Sequence, residues 1–427
     1  RFNEAQAQSL ALTTNAQRAL TSGDLDLAVA LAVEAVNIEQ PPAAAKRTLI
    51  DVTYAPGTRH IAESDFEGQG FVEMSPDGRT LVTTGYNQNF ESVVGVWDSK
   101  SGEMLNQLNQ SSFDISSLTI MPDTTHLVMG DKSGRTALWD FSTGDQVRRL
   151  DGLSRKVENV IAGPDGNSII ATANFEKLGP PGRKLPIGLR LIAWDLESGE
   201  EIYRFEAQDE QMSALVVSPD GRTAMIGLAT VDEQNQPVGG GRLLILDLDS
   251  GEVLAEPVID GLSGTNSIQS LAINPTGNQA FAMITEVDNS NVSKGVLISL
   301  PSGEVLGTVG LPEGARPPVL YSPDGSQIVA GIYGYFALFD ALTGDQIRFL
   351  GSQTDGHFVT DYVTEIDTHY AVFTPDGSSL ISGSLDSNLF WWDVNTGELI
   401  QRLIGHEASI IGIENSPDGQ GIITVSG

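Results

Sequence analysis

SPDGRTLVTTGYNQNFESVVGVWDSKSGE, residues 75–103, contains two glycine turns separated by runs of apolar and β-branched residues. The second turn, Asp-x-x-(Ser/Thr)-Gly-(Asp/Glu), recurs seven times, with one Asp replaced by Ser, at Asp98, Asp140, Asp195, Asp247, Ser299, Asp340 and Asp393. The first turn, Pro-Asp-Gly or a near variant, occurs eight times, at Pro76, Pro122, Pro164, Pro219, Pro275, Pro323, Pro375 and Pro417. Two turns that alternate in constant order predict antiparallel hairpins in series.

The repeat unit predicts four short strands, one before the Pro-Asp-Gly turn, two around a middle connection and one after the Ser-Gly turn. The segments between the turns have strand length and composition, as in Thr80–Thr83 and Leu243–Leu246. Because the repeat runs to the end of the sequence, we expect one large closed all-β array over residues 54–427.

Four tryptophans, each followed by aspartate at the end of a third strand, resemble the WD-repeat β-propellers: Trp97, Trp139, Trp194 and Trp392. Gly405-His406 is similar to that family's Gly-His dipeptide. The resemblance implies a propeller whose blades share a buried His-Ser-Trp-Asp hydrogen-bond network. This chain departs from the pattern at three Trp positions, where apolar packing is expected instead: Leu246, Ile298 and Phe339.

Seven repeat units are complete, and an eighth begins near Ser409. We therefore expect eight blades with one strand missing, and the alternative is seven blades followed by the start of a second propeller. In propellers of this family an N-terminal strand usually closes the ring, and His60–Phe66 is the candidate here.

Residues 1–53 predict a helical appendage. Leu12, Ala16 and Leu20 recur at helical spacing, a turn follows, and the pattern resumes at Leu27. A third short helix is expected over Ala43–Val52, after two prolines. This segment resembles the stretch before the C-terminal propellers of large bacterial multidomain signalling proteins. That resemblance implies a sensory module of a larger, envelope-attached protein, with further sequence before Arg1.

The composition restricts the class of partner. The formal net charge is -32, from 24 Lys+Arg and 56 Asp+Glu, so nucleic acid and anionic membrane surfaces would be repelled. We expect a protein partner or self-association, and no direct membrane insertion because no run of 18 apolar residues exists. The lack of cysteine suits an extracytoplasmic or cell-envelope location, with a cytoplasmic one as the alternative.

Extra residues occur only in the middle connections and in the connections between units, which share one face of the array. Length variation on one face of a rigid scaffold predicts a binding surface there. One long insertion is cationic on this acidic chain, with Lys177, Arg183, Lys184 and Arg190. Another is acidic and aromatic, with Asp355, Phe358, Asp361, Tyr362 and Glu365. We expect these loops to bind a partner or a second copy, with the aromatic residues as anchors.

Motifs for catalysis are missing from the sequence. The five histidines have no metal-site spacing, and no Gly-x-Ser-x-Gly elbow or phosphate-binding glycine loop is present. We therefore predict a non-enzymatic interaction scaffold or sensory module without a cofactor. The alternatives are a self-assembling structural subunit and, less favoured, a propeller hydrolase. A calcium site at Asp288, Asn289 and Asn291 is a minor hypothesis.

Overall fold

The computed structural model describes residues 2–21, 25–38, 41–54, 70–110, 113–163, 166–176, 187–231, 237–260, 262, 266–286, 289–332, 335–351, 370–384, 387–416, 419 and 421–426. Three helices and thirty strands lie within these ranges. None of these helices combines the length and apolarity that a membrane span requires.

The helices are α1 (Phe2–Thr21), α2 (Leu25–Asn37) and α3 (Ala43–Tyr54). Ala16, Ala28 and Ala32 are fully buried where the helices meet, and such small side chains allow close packing. The predicted hairpin and third helix are confirmed. The third helix begins directly after Pro41-Pro42, and the Pro42 carbonyl accepts the Ala45 N–H at 3.0 Å.

Antiparallel four-stranded sheets follow, in which neighbouring strands are consecutive in sequence. The first four blades are β1 (Val72–Met74), β2 (Thr80–Tyr86), β3 (Ser92–Asp98), β4 (Met104–Gln110); β5 (Ile115–Ile120), β6 (His126–Asp131), β7 (Thr136–Asp140), β8 (Asp145–Leu150); β9 (Val157–Ala162), β10 (Ser168–Glu176), β11 (Ile187–Asp195), β12 (Glu201–Gln208); and β13 (Glu210–Val217), β14 (Thr223–Val231), β15 (Pro237–Asp247), β16 (Val253–Ala255).

The next three blades are β17 (Asn266–Ile273), β18 (Gln279–Glu286), β19 (Asn289–Ser299), β20 (Val305–Gly310); β21 (Ala315–Tyr321), β22 (Gln327–Ile332), β23 (Tyr335–Asp340), β24 (Gln346–Leu350); and β25 (Ala371–Phe373), β26 (Ser379–Gly383), β27 (Leu389–Asp393), β28 (Leu399–Leu403). A two-stranded sheet, β29 (Ile410–Asn415) and β30 (Ile422–Ser426), comes last. The described chain thus has seven complete blades, one fewer than the preferred count, and two strands of an eighth.

The core lies between neighbouring blades. Val94 and Val96 of β3 pack in one cluster with Leu127 and Met129 of β6, in the next blade. Continuous apolar runs are typical of strands that are buried on both faces, and the first six residues of β3 are all buried. The ring of blades therefore has a succession of cores, each shared by two sheets.

The residue at the Trp position lies at a β-bulge between the third and outer strands of each complete blade. The Trp97 indole N–H donates to Thr83 Oγ1 at 2.9 Å, and that of Trp392 donates to Ser382 Oγ at 3.1 Å. The three replacements are fully buried and form no such bond: Leu246, Ile298 and Phe339. Apolar packing takes the place of the indole hydrogen bond in these blades, as predicted.

The Ser-Gly turns are held by their first aspartate. Asp98 Oδ1 accepts the Ser101 N–H at 2.8 Å and the Lys100 N–H at 3.1 Å, and these hydrogen bonds lower the Asp98 pKa. Gly102 has a φ of 70°, which a residue with a Cβ adopts only with strain. The repeated Asp and Gly therefore stabilise the turn locally.

Side chains of the inner strands join neighbouring blades. Glu73 Oε1 accepts the Ile120 N–H at 2.9 Å and the Thr119 hydroxyl at 3.0 Å. Glu414, at the equivalent place in β29, accepts the Met74 N–H at 3.0 Å. Since β29 also contacts β25 and β26, the two-stranded sheet lies between the seventh blade and the first. The predicted closing strand, His60–Phe66, lies outside the described residues.

Serine side chains form the same kind of hydrogen bond between neighbouring blades elsewhere in the ring. Ser117 Oγ accepts the Val160 N–H at 2.9 Å, and Ser270 Oγ accepts the Val319 N–H at 3.3 Å. In each case a side chain of one inner strand binds a backbone N–H of the next. Polar groups that would otherwise be left without a partner inside the ring are satisfied in this way.

One Pro-Asp-Gly turn is strained and yields a prediction. In the seven other turns of this kind the glycine has a φ between 67° and 73°. The turn that begins at Pro122 has Thr124 at that place, with a φ of 60°. A β-branched residue is disfavoured in this region. We expect Thr124→Gly to raise the free energy of unfolding by about 1 kcal/mol, measured by chemical denaturation. Thr125→Gly in the same turn is the control and should be destabilising. A less stable Thr124→Gly variant would contradict the strain.

The carboxyl of Glu73 leads to a pH prediction. Burial raises its pKa to about 7, and Glu414 nearby adds to the rise. The folded state therefore favours the protonated form, and this contribution to stability is present below pH 4.5 and is lost as the pH rises through 7. We expect Glu73→Gln to stabilise the protein by about 2 kcal/mol at pH 8.5 and to have no effect near pH 4. Thermal unfolding at both pH values measures this difference.

The exposed Glu103→Gln removes the same charge from the surface and corrects for the general repulsion within an acidic protein. Equal stabilisation by the two variants at pH 8.5 would show that the burial of Glu73 has no special effect.

Candidate partner-binding surface

The propeller has two unlike faces because its strands alternate in direction. The turn face contains the Pro-Asp-Gly and Ser-Gly turns. The loop face contains the connections between second and third strands, such as 87–91 and 132–135, and those between blades, such as 151–156 and 311–314.

Most of the candidate binding residues from the sequence lie outside the described part of the chain: Lys177, Arg183, Lys184, Asp288, Asp355, Phe358, Asp361, Tyr362 and Glu365. Asn289 and Asn291 belong to the start of β19, where Asn289 pairs with Glu286. Arg190 is described in β11. Whether the two charged loops bind a partner therefore stays a prediction.

Arg190 is engaged within the chain. Its guanidinium Nε donates to Glu206 Oε1 at 2.8 Å, a second nitrogen donates to the Gly152 carbonyl at 2.9 Å, and the group lies 4.8 Å from the centre of the Phe175 ring. The side chain is only 18% exposed. Arg190 thus ties the connection that contains Gly152 to blade three, and it supports the loop face from beneath.

Phe90 is an exposed anchor that the sequence analysis did not identify. Its side chain is 86% exposed, and its φ of 60° is an outlier for an aromatic residue. Asn87 frames the loop, because its Oδ1 accepts the Asn89 and Glu91 N–H groups at 2.9 and 3.0 Å. The Phe90 N–H donates to the Asn87 carbonyl at 2.8 Å. The one available signal in the sequence was the extra length of this middle connection.

A polar group lies on the loop face where blades one and two meet. The Lys132 ammonium is 3.1 Å from Asp114 and 5.9 Å from the centre of the Tyr86 ring. The Tyr86 hydroxyl donates to the same carboxylate at 3.0 Å. Hydrogen bonding to Asp114 raises the Lys132 pKa, so this amine is charged at neutral pH. We call Tyr86, Phe90, Asp114, Lys132 and Arg135 the blade 1–2 patch.

Arg135 forms the far side of the blade 1–2 patch. Its guanidinium lies 2.5 Å from the buried carboxylate of Asp131 and 4.9 Å from the centre of the Phe113 ring. Phe113 packs edge-on against Trp139, with 6.2 Å between ring centres. Through Phe113 and Trp139, the Arg135 side chain is thus packed against the core of blade two. The patch is held in place before any partner arrives.

The described histidines have structural roles. His406 lies with Nε2 2.7 Å from Thr424 Oγ1 and Nδ1 3.0 Å from Ser426 Oγ, and burial lowers its pKa. The ring bridges two hydroxyls of β30 and so ties the segment before β29 to that strand. His126 binds Asp123 at 2.6 Å within a turn. Within the described residues, no three or more acidic, His or Cys side chains are grouped to hold a metal ion.

Comparisons with known proteins agree with this architecture. The family model "WD domain, G-beta repeat" matches residues 348–393. The WD repeat-containing protein WDS homolog of Arabidopsis thaliana is 27% identical over 176 residues, 40% of this chain and 30% of that protein. The angio-associated migratory cell protein of Homo sapiens is 22% identical over 380 residues, 83% of this chain and 75% of that protein.

A crystal structure of the computationally designed Ika8 protein has the same fold. It superposes with a TM-score of 0.58 at 16% identity and covers 83% of this chain and 92% of that one. The alternating turns and the seven four-stranded sheets define a β-propeller, and these similarities relate it to WD-repeat proteins. The WD-repeat relatives generally act as protein-interaction scaffolds and are typically non-enzymatic.

The strained loop of the blade 1–2 patch leads to a prediction. Phe90→Gly removes the unfavourable φ while the Asn87 frame remains. We expect the free energy of unfolding to rise by about 1 kcal/mol, measured by urea denaturation. Asn87→Ala is the opposite case and should be destabilising, because it removes the acceptor of two backbone N–H groups. A Phe90→Gly protein that is less stable would show that the ring contributes packing.

Proposed function

We propose that this chain is a non-enzymatic interaction module that binds a protein partner through its loop face, with the blade 1–2 patch as the contact. The observation that carries the proposal is Phe90, a large apolar side chain that is 86% exposed at an unfavourable φ. Such strain persists only where the surrounding structure imposes it, and it concentrates at functional sites.

The chemistry of the patch favours a protein partner. Aromatic and arginine side chains are enriched in the cores of protein interfaces, where a few anchors contribute most of the binding energy. Phe90 supplies an aromatic anchor, and Tyr86, Lys132 and Arg135 supply hydrogen-bond donors on the same loop face. Because these neighbours are already held by Asp114 and Asp131, little side-chain entropy remains to be lost on binding.

Binding of the partner to this chain is proposed to act on a larger protein of which the chain is one part. In this proposal the chain is the sensory module of an envelope-attached signalling protein, which places it outside the cytoplasm. Support comes from the resemblance of the helical segment to the stretch before bacterial signalling propellers and from the absence of cysteine. Fractionation of the native host cells tests the location. Recovery of the protein in the cytosolic fraction would contradict it.

Site-specific photocrosslinking tests the partner surface. We expect a photoreactive phenylalanine analogue at position 90, in the full protein within its host, to crosslink a partner protein that mass spectrometry identifies. The same analogue at Glu197, exposed on the turn face, is the control and should give no such product. Equal crosslinking from both positions would contradict a specific loop face. Crosslinks between two copies would instead support self-assembly.

Two strain-relieving variants then separate binding from stability. Phe90→Gly and Thr124→Gly each remove a positive-φ side chain, one from the loop face and one from the turn face. With the identified partner, we expect Phe90→Gly to weaken binding by about 100-fold, in the range of an interface anchor, and Thr124→Gly to leave it unchanged. Titration calorimetry measures both affinities. Unchanged binding by Phe90→Gly would overturn the role of the patch.

A further inference from the structure

The outer strands of all seven complete blades share a pattern. The residue directly after each turn glycine is an exposed Asp or Glu, and two positions later, on the same side of the strand, comes an aliphatic residue that is 39–59% exposed. The seven aliphatic residues are Leu105, Val147, Ile202, Leu254, Leu306, Ile347 and Ile400. In the described part of the chain, no strand pairs with the outer edge of any of these seven strands.

The next position along most outer strands holds a side chain that bridges to the following blade. Asn106 donates to the Phe141 carbonyl at 2.9 Å, Arg148 to the Ser198 carbonyl at 2.7 Å, and Tyr203 to the Leu248 carbonyl at 2.7 Å. Arg348 donates in the same way to the Asn395 carbonyl. These bridges fill the space between an outer strand and the Ser-Gly turn of the next blade.

Strand β20 in blade five lacks this bridge. Its equivalent residue is Gly307, and among the described residues none beyond its two chain neighbours lies within 4 Å of the place where a Cβ would be. The strand nevertheless lies against the turn of blade six, since a Cβ on Gly344 would approach Val309 Cγ2 to 2.6 Å. An open notch therefore lies beside Gly307, on the side of β20 that faces the next blade.

The surface around this notch is apolar and acidic. Leu342, in the turn of blade six, is 85% exposed, and Leu306 and Val305 of β20 are 52% and 37% exposed. Glu304 and Asp345 are exposed carboxylates at the two sides. The whole chain has a net charge of -32, so charge complementarity favours a basic segment and opposes a second copy of this chain.

We propose that the outer edge of β20 binds an extended basic peptide by strand addition, with an aromatic side chain of the peptide lying over Gly307 in the notch. A free edge strand supplies backbone hydrogen bonds to an added strand, and its side chains select the sequence. In an antiparallel arrangement the residue opposite Gly307 projects on the notch side. Aromatic residues paired with edge glycines stabilise sheets.

The register defines the peptide. An aromatic residue opposite Gly307 is followed by an aliphatic residue opposite Leu306, any residue opposite Val305 and a basic residue opposite Glu304. Cross-strand aliphatic and opposite-charge pairs of this kind are each favourable. The predicted motif is aromatic, aliphatic, any, Lys or Arg. This site lies on the circumference, apart from the loop face, and is independent of the function proposed above.

A fluorescent peptide tests the proposal with the full chain. The probe is Lys-Thr-Phe-Val-Thr-Lys-Thr, and the control peptide, Lys-Thr-Lys-Val-Thr-Phe-Thr, exchanges the Phe with the later Lys at constant composition and charge. We expect fluorescence anisotropy to show binding of the probe, and binding of the control to be weaker by about 10-fold or more. No binding of the probe, or equal binding of both peptides, would overturn the proposal.

Matched variants of blades four and five test whether the site lies on blade five. Glu304→Lys should weaken probe binding by about 10-fold at low salt, and Glu252→Lys, the equivalent change in blade four, should not. Gly307→Phe fills the notch and should have the same effect as Glu304→Lys. If Gly307→Phe does not fold, Leu306→Ser compared with Leu254→Ser tests the same edge. Equal losses for the blade four and blade five variants would show unspecific attraction to an acidic surface and contradict the site.

Discussion

The structure depends on one constraint, which is that each sheet buries its two faces only against its neighbours, so that the ring of blades has to close. Side chains of the inner strands accept backbone N–H groups of the next blade, and Glu414 extends this arrangement across the junction to Met74, 340 residues earlier in the chain. The carboxyls at this junction are partly buried, and burial raises the pKa of both Glu73 and Glu414. Closure thus places two acids where their ionised forms are disfavoured.

The turn face contributes to stability, and the loop face is the one proposed for recognition. On the turn face, aspartates and glycines satisfy the same hydrogen bonds in blade after blade, so most of these turns are unstrained. The loop face has no such repeat, and each connection there has its own contacts. A framed loop such as 87–91 can hold Phe90 in a costly conformation because Asn87 satisfies the backbone around it. Such a strained conformation persists because the packed structure around the loop imposes it.

The fold was largely predictable and the candidate site was not. Turn signatures and apolar runs act over a few residues, so strand order, the third helix and the buried replacements Leu246, Ile298 and Phe339 followed from the sequence. Phe90 occupies an ordinary-looking polar connection, and its exposure depends on loop closure by Asn87. Arg190 belonged to a cationic run, yet in the structure Glu206 and Gly152 engage it. Such pairings join strands that the sequence keeps apart.

The sequence by itself determined the repeat, the turn geometry and the acidic surface, because these follow from residue types within single hairpins and from summed charge. Only the tertiary structure decided which outer-strand side chains contact the next blade. Whether an outer-strand residue bridges to the next blade, as Arg148 does, or leaves a notch, as Gly307 does, depends on the distance to a turn far along the chain, 50 residues away for Arg148. Contacts between blades are set by packing of complete sheets, and a local pattern contains no information about that distance.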